Sequence, residues 1–134
     1  MNKFRKSERL SGKAVFSRLA ASKQFMFSFP CRVLYEVVPA TDAHAVQVAF
    51  VVPKRLFKKS SQRNRIKRLL REAYRLHKQP LTELLQQQQQ AAHLIFIYTH
   101  KEELTQQETS AKIVLTLQKL INQFSDVERT SSKT

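Results

Sequence analysis

The segment from Arg63 to Arg75 carries the densest chemical signal in the chain, because basic side chains alternate there with apolar ones at helical spacing. Guanidinium groups offer planar, two-pronged hydrogen-bond donors that match phosphate oxygens. On a helix of this sequence, one side gathers Ile66, Leu69, Leu70, Ala73 and Leu76. The opposite side gathers Asn64, Lys67, Arg68, Arg71, Arg75 and Lys78. The pattern predicts a helix that packs through one face and binds a polyanion through the other.

Positive charge is concentrated in the first part of the 134 residues, which carry a formal net charge of +14. Residues 1–78 hold 19 Lys and Arg against 4 acids, whereas residues 79–134 hold 5 against 6. Solubility alone requires mixed signs and a modest net charge, so this excess is typical of a nucleic-acid-binding protein. Glu72 is the one acid in the basic segment, and we expect it to steady Arg68 and Arg75 without cancelling the positive face.

The remaining polar residues offer little for catalysis by the protein itself. The four histidines and the lone Cys31 lack the spacing of a metal site, and a single glycine excludes a glycine-rich phosphate loop. A single cysteine cannot form an internal disulfide, which fits a reducing compartment. No apolar run approaches the ~20 residues of a membrane span, and the N-terminus lacks the pattern of a signal peptide. We therefore expect a cytoplasmic protein that does not contact membranes.

Hydrophobic periodicity predicts the elements that position the basic helix. In order, these are a helix over 11–21, strands over 24–29, 31–36 and 45–52, the basic helix, a strand over 93–98 and a helix over 109–124. The basic helix is expected to start near Ser60, Ser61 or Gln62 and to end at Pro80. The alternating Phe25, Phe27 and Phe29 are assigned to sheet packing. The order α-β-β-β-α-β-α predicts an α+β fold, a two-layer sandwich of three helices and a small, mostly antiparallel sheet of about four strands. We expect one domain over 1–124 and a disordered tail over 125–134.

Several stretches of the sequence resemble one known family. Val51-Val52-Pro53-Lys54-Arg55 precedes a basic connection, and Arg63-Asn64-Arg65-Ile66-Lys67-Arg68-Leu69-Leu70-Arg71-Glu72 follows it. Together with Arg9-Leu10, Phe16 and Val33-Leu34-Tyr35, these segments are similar to the bacterial ribonuclease P protein subunit. Two departures stand out. The family commonly has a Ser and a Gly around its basic pair where this chain has Pro53 and Leu56-Phe57, and Ala20 replaces a second aromatic residue of the first helix.

The resemblance implies a noncatalytic protein that assists a catalytic RNA. In this family the RNA subunit uses Mg²⁺ to remove the 5′ leader of precursor tRNA, so the endoribonuclease is the whole ribonucleoprotein. The implied partners are the ribonuclease P RNA and precursor tRNA, with no obligate protein partner and with Mg²⁺ held mainly by the RNA. Contacts to the catalytic RNA are expected from Arg63, Asn64, Arg65, Lys67, Arg68, Arg71 and Arg75. Contacts to the leader, in a cleft between the first helix and the sheet, are expected from Phe16, Tyr35, Lys54 and Arg55.

Two other functions fit parts of the sequence. A ribosomal or ribosome-assembly protein would share the basic charge but prefer ribosomal RNA. A protein-only nuclease would need carboxylates around Mg²⁺, and the adjacent Glu102 and Glu103 are more typical of a solvated loop. For Phe16 and Tyr35, simple core packing is the competing interpretation.

Overall fold

The chain forms a mixed sheet covered by helices. A computed structural model describes residues 13–21, 24–40 and 46–133, with side chains described between Val15 and Ser125 of these ranges. The elements are α1 (Lys13–Ala21), β1 (Phe25–Ser28), β2 (Cys31–Pro39), β3 (Val46–Val51), α2 (Ser60–His77), α3 (Gln79–Gln87), β4 (Gln90–Tyr98) and α4 (Gln106–Lys133). Across these ranges, none of the helices combines the length and the apolarity that a membrane crossing requires.

The strand order is β1-β2-β4-β3. β2 pairs with β1 and β4 in antiparallel register, whereas β3 pairs with β4 in parallel. Because parallel neighbours cannot be joined by a tight turn, the chain crosses over between β3 and β4 through α2 and α3. The predicted α+β class with a mostly antiparallel sheet is confirmed. β4 begins at Gln90, three residues before the predicted start, and pairs along the full length of β2.

Helices lie on both faces of the sheet, since successive strand residues point to opposite sides. On one side, α2 and α4 pack against residues such as Val33 and Phe96, both fully buried; we call this the α2/α4 face. On the other side, Leu19 of α1 packs against Leu34 and Ile95; we call this the α1 face. The expected two-layer sandwich therefore carries α1 as an additional layer. Each fully buried aliphatic side chain contributes about 1.5–3 kcal/mol, so the larger α2/α4 cluster dominates stability.

The basic helix α2 is followed directly by a separate helix. α2 begins at Ser60, as predicted, and ends at His77, while Pro80 lies in the first turn of α3, where its missing N–H costs nothing. Within the described residues α3 is the fourth helix, where three were predicted. It is followed by Gln89, whose backbone is left-handed with a φ of 57°. The carbonyl of Gln89 accepts a hydrogen bond from the Ala40 N–H at 3.2 Å, which ties this turn to the end of β2.

α4 begins with a capping box that the sequence interpretation overlooked. The Glu108 N–H donates to Thr105 Oγ1 at 3.1 Å, and the Thr105 N–H donates to Glu108 Oε1 at 3.0 Å. The helix consequently starts at Gln106, three residues before the predicted start, and its backbone continues to Lys133. The expected helix start at 11–12 lies outside the described residues. The domain boundary at residue 124 stays a prediction.

Candidate RNA-binding surfaces

α2 presents a basic face because its apolar face is held by the sheet. Ile66, Leu70, Ala73 and Tyr74 are buried in the α2/α4 cluster. Tyr74 is 0% exposed and Leu76 is 45% exposed, so the prediction that Leu76 belongs to the buried side is wrong. At about 100° per residue these two side chains lie about 80° to either side of Ile66, and packing selects the side of Tyr74.

The predicted basic face of α2 reaches solvent. Asn64 and Arg68 are exposed, and Lys67, Arg71 and Arg75 are half-buried. Arg71 Nε donates to the Lys67 carbonyl at 3.3 Å, which holds its guanidinium against the helix. Glu72 pairs with Arg75, and the hydrogen bond lowers the pKa of Glu72 and raises that of Arg75. The expected role of Glu72 is confirmed for Arg75, whereas among the described residues no bond joins it to Arg68.

Arg63 and Arg65 differ from the rest of the basic segment because each is bonded within the protein. Arg63 Nη1 donates to the carbonyl oxygens of Phe57 at 2.8 Å and Lys58 at 2.9 Å. Arg65 forms two hydrogen bonds with Glu103, from Nε to Oε1 at 2.7 Å and from Nη2 to Oε2 at 2.9 Å. This pairing raises the pKa of Arg65 and lowers that of Glu103. The two arginines therefore fix the loops on either side of the start of α2.

Lys54 and Arg55 lie in a turn between β3 and α2. The N–H groups of Leu56 and Phe57 both donate to the Pro53 carbonyl, at 3.1 and 3.3 Å. Phe57 is buried, so it anchors the connection while Lys54 and Arg55 are exposed. The turn thus forms without the glycine that the family commonly has at this place. Both cations lie at the sheet edge from which α2 begins.

The α1 face of the sheet forms a second candidate surface. Phe16 is half-buried and packs at the border of the α1 cluster, to which Val51 also belongs. Arg18 Nε donates to Glu36 Oε1 at 3.1 Å, and His93 Nδ1 lies 2.6 Å from Glu36 Oε2. The hydrogen bond from Arg18 lowers the pKa of Glu36, against a smaller opposing effect of burial. This network ties α1 to β2 and β4 beside Phe16.

Tyr35 does not lie beside Phe16. It packs on the α2/α4 face, where its ring meets that of Phe124 edge to face with 5.7 Å between the centroids. Along β2, Tyr35 shares its side with Val33, whereas Leu34 points towards α1. The prediction that Phe16 and Tyr35 face one cleft is therefore wrong, because the two side chains lie on opposite faces of the sheet.

Sequence reasoning also misplaced the aromatic residues of β1. Phe25 and Phe27 are 51% and 61% exposed, and Phe29 in the following turn is 38% exposed. Phe25 pairs with Leu34 and Phe27 with Arg32, so both rings belong to the α1 face. The guanidinium carbon of Arg32 lies 5.6 Å from the centroid of the Phe25 ring. A strand of four residues closed by a proline is typical of a sheet edge, and that signal was available in the sequence.

The candidate metal-ligating side chains are scattered over the described residues. No group of three or more His, Cys, Asp or Glu residues that could hold a metal occurs among them. The carboxylates beside the basic helix, Glu72 and Glu103, are paired with arginines. Burial raises the pKa of Cys31 to about 12, so its thiol is protonated at neutral pH and is a poor nucleophile.

The chain is similar to several known proteins. The Ribonuclease P family matches residues 4–124. The ribonuclease P protein component of Porphyromonas gingivalis (strain ATCC 33277) is 34% identical over 97 residues, which span 72% of this chain and 71% of the relative. The ribonuclease P protein component of Nitrosomonas eutropha is 35% identical over 74 residues, spanning 55% of this chain and 60% of the relative.

Two solved structures share the fold. The Staphylococcus aureus RNase P protein superposes with a TM-score of 0.65 at 22% identity, covering 87% of this chain and 99% of that protein. A mutant of the S. aureus protein, described as defective in mRNA degradation activity, gives a TM-score of 0.62 at 20% identity and covers 85% and 90% of the two chains. At these identities the likeness concerns the fold alone.

Proposed function

Because the chain belongs to the ribonuclease P protein family, we propose that it binds two RNAs, the catalytic RNA of the holoenzyme and the 5′ leader of precursor tRNA. The endoribonuclease is the ribonucleoprotein, and the protein chain is its noncatalytic cofactor. In this proposal Mg²⁺ is held mainly by the RNA partner. The protein's own contribution is to bind and orient the two RNAs.

The surface for the catalytic RNA is the basic face of α2. The observation that carries the proposal is the division of this helix: its buried side fixes it on the sheet, while Asn64 and Arg68 are exposed and Arg71 lies along the helix. Guanidinium groups on a rigid helix bind phosphates with little loss of side-chain freedom. Such contacts make affinity strongly dependent on salt.

Arg63 and Arg65 have a positioning role in this proposal in addition to a contact role. An arginine offers five N–H donors, so Arg65 retains donors for RNA when two of its nitrogens bind Glu103. Arg63 holds the connection that carries Lys54 and Arg55 through the carbonyl of Phe57. Through this bond, the start of α2 lies beside the connection that carries Lys54 and Arg55.

The leader surface comprises Phe16 on the α1 face and the exposed Lys54 and Arg55 at the nearby sheet edge. Unpaired bases stack on aromatic rings with little preference for sequence, at about 1–3 kcal/mol per base, while cations hold the phosphates. Tolerance of this kind suits leaders of varied sequence. Tyr35 is left out of the surface because it packs against Phe124 on the other face.

The test is cleavage of precursor tRNA at low Mg²⁺ with a bacterial ribonuclease P RNA, comparing RNA alone, protein alone and both together. We expect cleavage at the mature 5′ end only when both are present. Cleavage by the protein alone would place the active site in this chain, which is the outcome to compare with the mRNA degradation named for the S. aureus protein. Absence of stimulation, together with tight binding to ribosomal RNA, would favour a ribosomal or assembly role.

A further inference from the structure

The aromatic rings of β1 are not explained by core packing, because they are exposed. Phe25 and Phe27 lie on the α1 face of an edge strand, and about half or more of each side chain meets solvent. Adjacent exposed aromatic residues on a sheet edge invite aggregation, so soluble proteins usually cover or charge such positions. The exposure of both rings on this edge strand therefore indicates a binding surface.

A cation lies beside the ring of Phe25 and on the strand position opposite Phe27. Arg32 is exposed and is the register partner of Phe27, and its guanidinium carbon lies 5.6 Å from the Phe25 centroid. Side chains directly opposite on neighbouring strands lie close together, and long ones also reach the diagonal position. The three side chains therefore form an aromatic–cation–aromatic strip, the combination that single-stranded nucleic acid recognises through stacking and phosphate contact.

We propose that Phe25, Phe27 and Arg32 form an outer station for leader nucleotides that lie beyond those held next to Phe16. The inference rests on the proposed function and extends it to residues on β1. Continuity supports it, because Phe25 pairs with Leu34, the β2 residue that packs against α1. The occupant is unpaired RNA, since the strip offers a cation and ring faces on a chain with a net charge of +14. A peptide strand adding to the β1 edge would instead use its backbone groups.

The experiment measures binding of precursor tRNAs with leaders of graded length to the reconstituted holoenzyme, with mature tRNA as reference. For the wild type, affinity should rise in two stages as the leader first reaches Phe16 and then the strip. The double variant Phe25→Ala/Phe27→Ala should lose the second stage, about thirtyfold or more in affinity because two stacking rings are removed, and retain the first. Arg32→Gln should lose part of the same stage.

Two further variants keep the result interpretable. Phe25→Leu/Phe27→Leu preserves apolar volume without a stacking ring and should behave like the alanine pair. Leu115→Ala removes an apolar side chain that is 51% exposed on α4 and should change nothing. An equal loss for mature tRNA and for every leader length would mean a packing role and overturn the station.

The outcomes separate this inference from the function beneath it. A wild-type protein that fails to stimulate cleavage would overturn the proposed function itself. A different result would overturn the outer station alone. In that case the wild type stimulates cleavage and Phe16→Ala weakens leader binding, but the β1 variants bind every leader as the wild type does.

Discussion

Arg65 on α2 and Glu103 in the loop before α4 form a two-pronged ion pair, with Nε 2.7 Å from Oε1 and Nη2 2.9 Å from Oε2. Gln62 Nε2 adds a longer hydrogen bond to Glu103 at 3.5 Å. The pair places a negative charge at the start of the helix that we propose binds RNA. A carboxylate here fixes the geometry of Arg65 but also competes with phosphate for it.

Replacing Glu103 by glutamine should therefore strengthen binding to the catalytic RNA. Without the carboxylate, a competing negative charge is removed and all the donors of Arg65 become available to phosphate, so the slope of log affinity against log salt should steepen by up to about one. Titration at several salt concentrations measures both quantities. The matched control is Glu102→Gln, which removes the neighbouring exposed carboxylate but leaves the pair intact. Equal effects of the two substitutions would contradict a specific role for the Arg65–Glu103 pair.

Charge reversal at Arg68 and Arg71 should weaken binding to the catalytic RNA. Each arginine that contacts a phosphate contributes close to one unit of salt slope, so Arg68→Glu/Arg71→Glu should flatten the slope by about two. Lys119→Glu on α4 is the control for altered net charge, because that residue is also exposed. Unchanged affinity and slope in the double variant, with its fold verified by circular dichroism, would remove this face from the interface.

Phe16→Ala and Tyr35→Ala should separate binding from stability. Phe16→Ala should weaken the binding of precursor tRNA about five- to tenfold relative to that of mature tRNA, because it removes one stacking ring. Tyr35→Ala should lower the free energy of unfolding by roughly 1–3 kcal/mol, since it removes the contact with Phe124. It should weaken the binding of precursor tRNA and of mature tRNA equally. Urea unfolding and paired binding titrations test this. A loss with Tyr35→Ala that is confined to precursor tRNA would restore Tyr35 to the leader surface.

The elements set by local periodicity could be predicted from the sequence, and those set by three-dimensional pairing could not. The spacing around Ile66 and Leu70 gave the basic helix with its correct start, because one side of α2 must be apolar to pack. Tyr74 and Leu76 lie at about equal angles on either side of Ile66 around the helix, so only the contact with the sheet decides which of the two is buried. The same limit explains why the bonds of Arg63 and Arg65 within the protein were not predicted, since their partners lie in loops.

Alternation along a strand likewise shows which of its residues share a side, but it does not show which element covers that side. Alternation holds within β1 and within β2 but not across the turn between them: Tyr35 packs on the α2/α4 face against Phe124, whereas Phe25 lies on the α1 face and is 51% exposed. Which face receives α1 depends on the path of the whole chain, and the strand order β1-β2-β4-β3 leaves β1 at an edge. The contacts to RNA, the location of the protein and the source of Mg²⁺ stay predictions.

Cys31 should report the opening of the fold. It is 1% exposed, and burial raises its pKa from 9.0 to about 12, so alkylation by iodoacetamide at pH 8 should proceed only through unfolded molecules. Because the folded pKa is raised, the protonated thiol contributes stability below pH 9 that is lost as the pH rises towards 12. The difference in unfolding free energy between wild type and Cys31→Ala should therefore narrow from pH 8 to pH 10.5. Rapid labelling in the absence of denaturant would show that the thiol is accessible in the folded protein.

Gln89→Gly should stabilise the protein by about 0.5–1 kcal/mol, because glycine adopts a left-handed backbone without the steric cost of a Cβ. Gln89 has a φ of 57° directly before β4, and its backbone N–H donates to the Gln86 carbonyl at 3.1 Å, so the turn cannot relax without losing that bond. Urea unfolding monitored by circular dichroism measures the change. The control is Gln87→Gly in the last turn of α3, which should destabilise by up to about 1 kcal/mol through the low helix propensity of glycine. Changes of opposite sign in the free energy of unfolding for these two glycine substitutions would establish that backbone strain resides at Gln89. Destabilisation by both substitutions would show that the Gln89 side chain stabilises the turn by more than its backbone conformation costs.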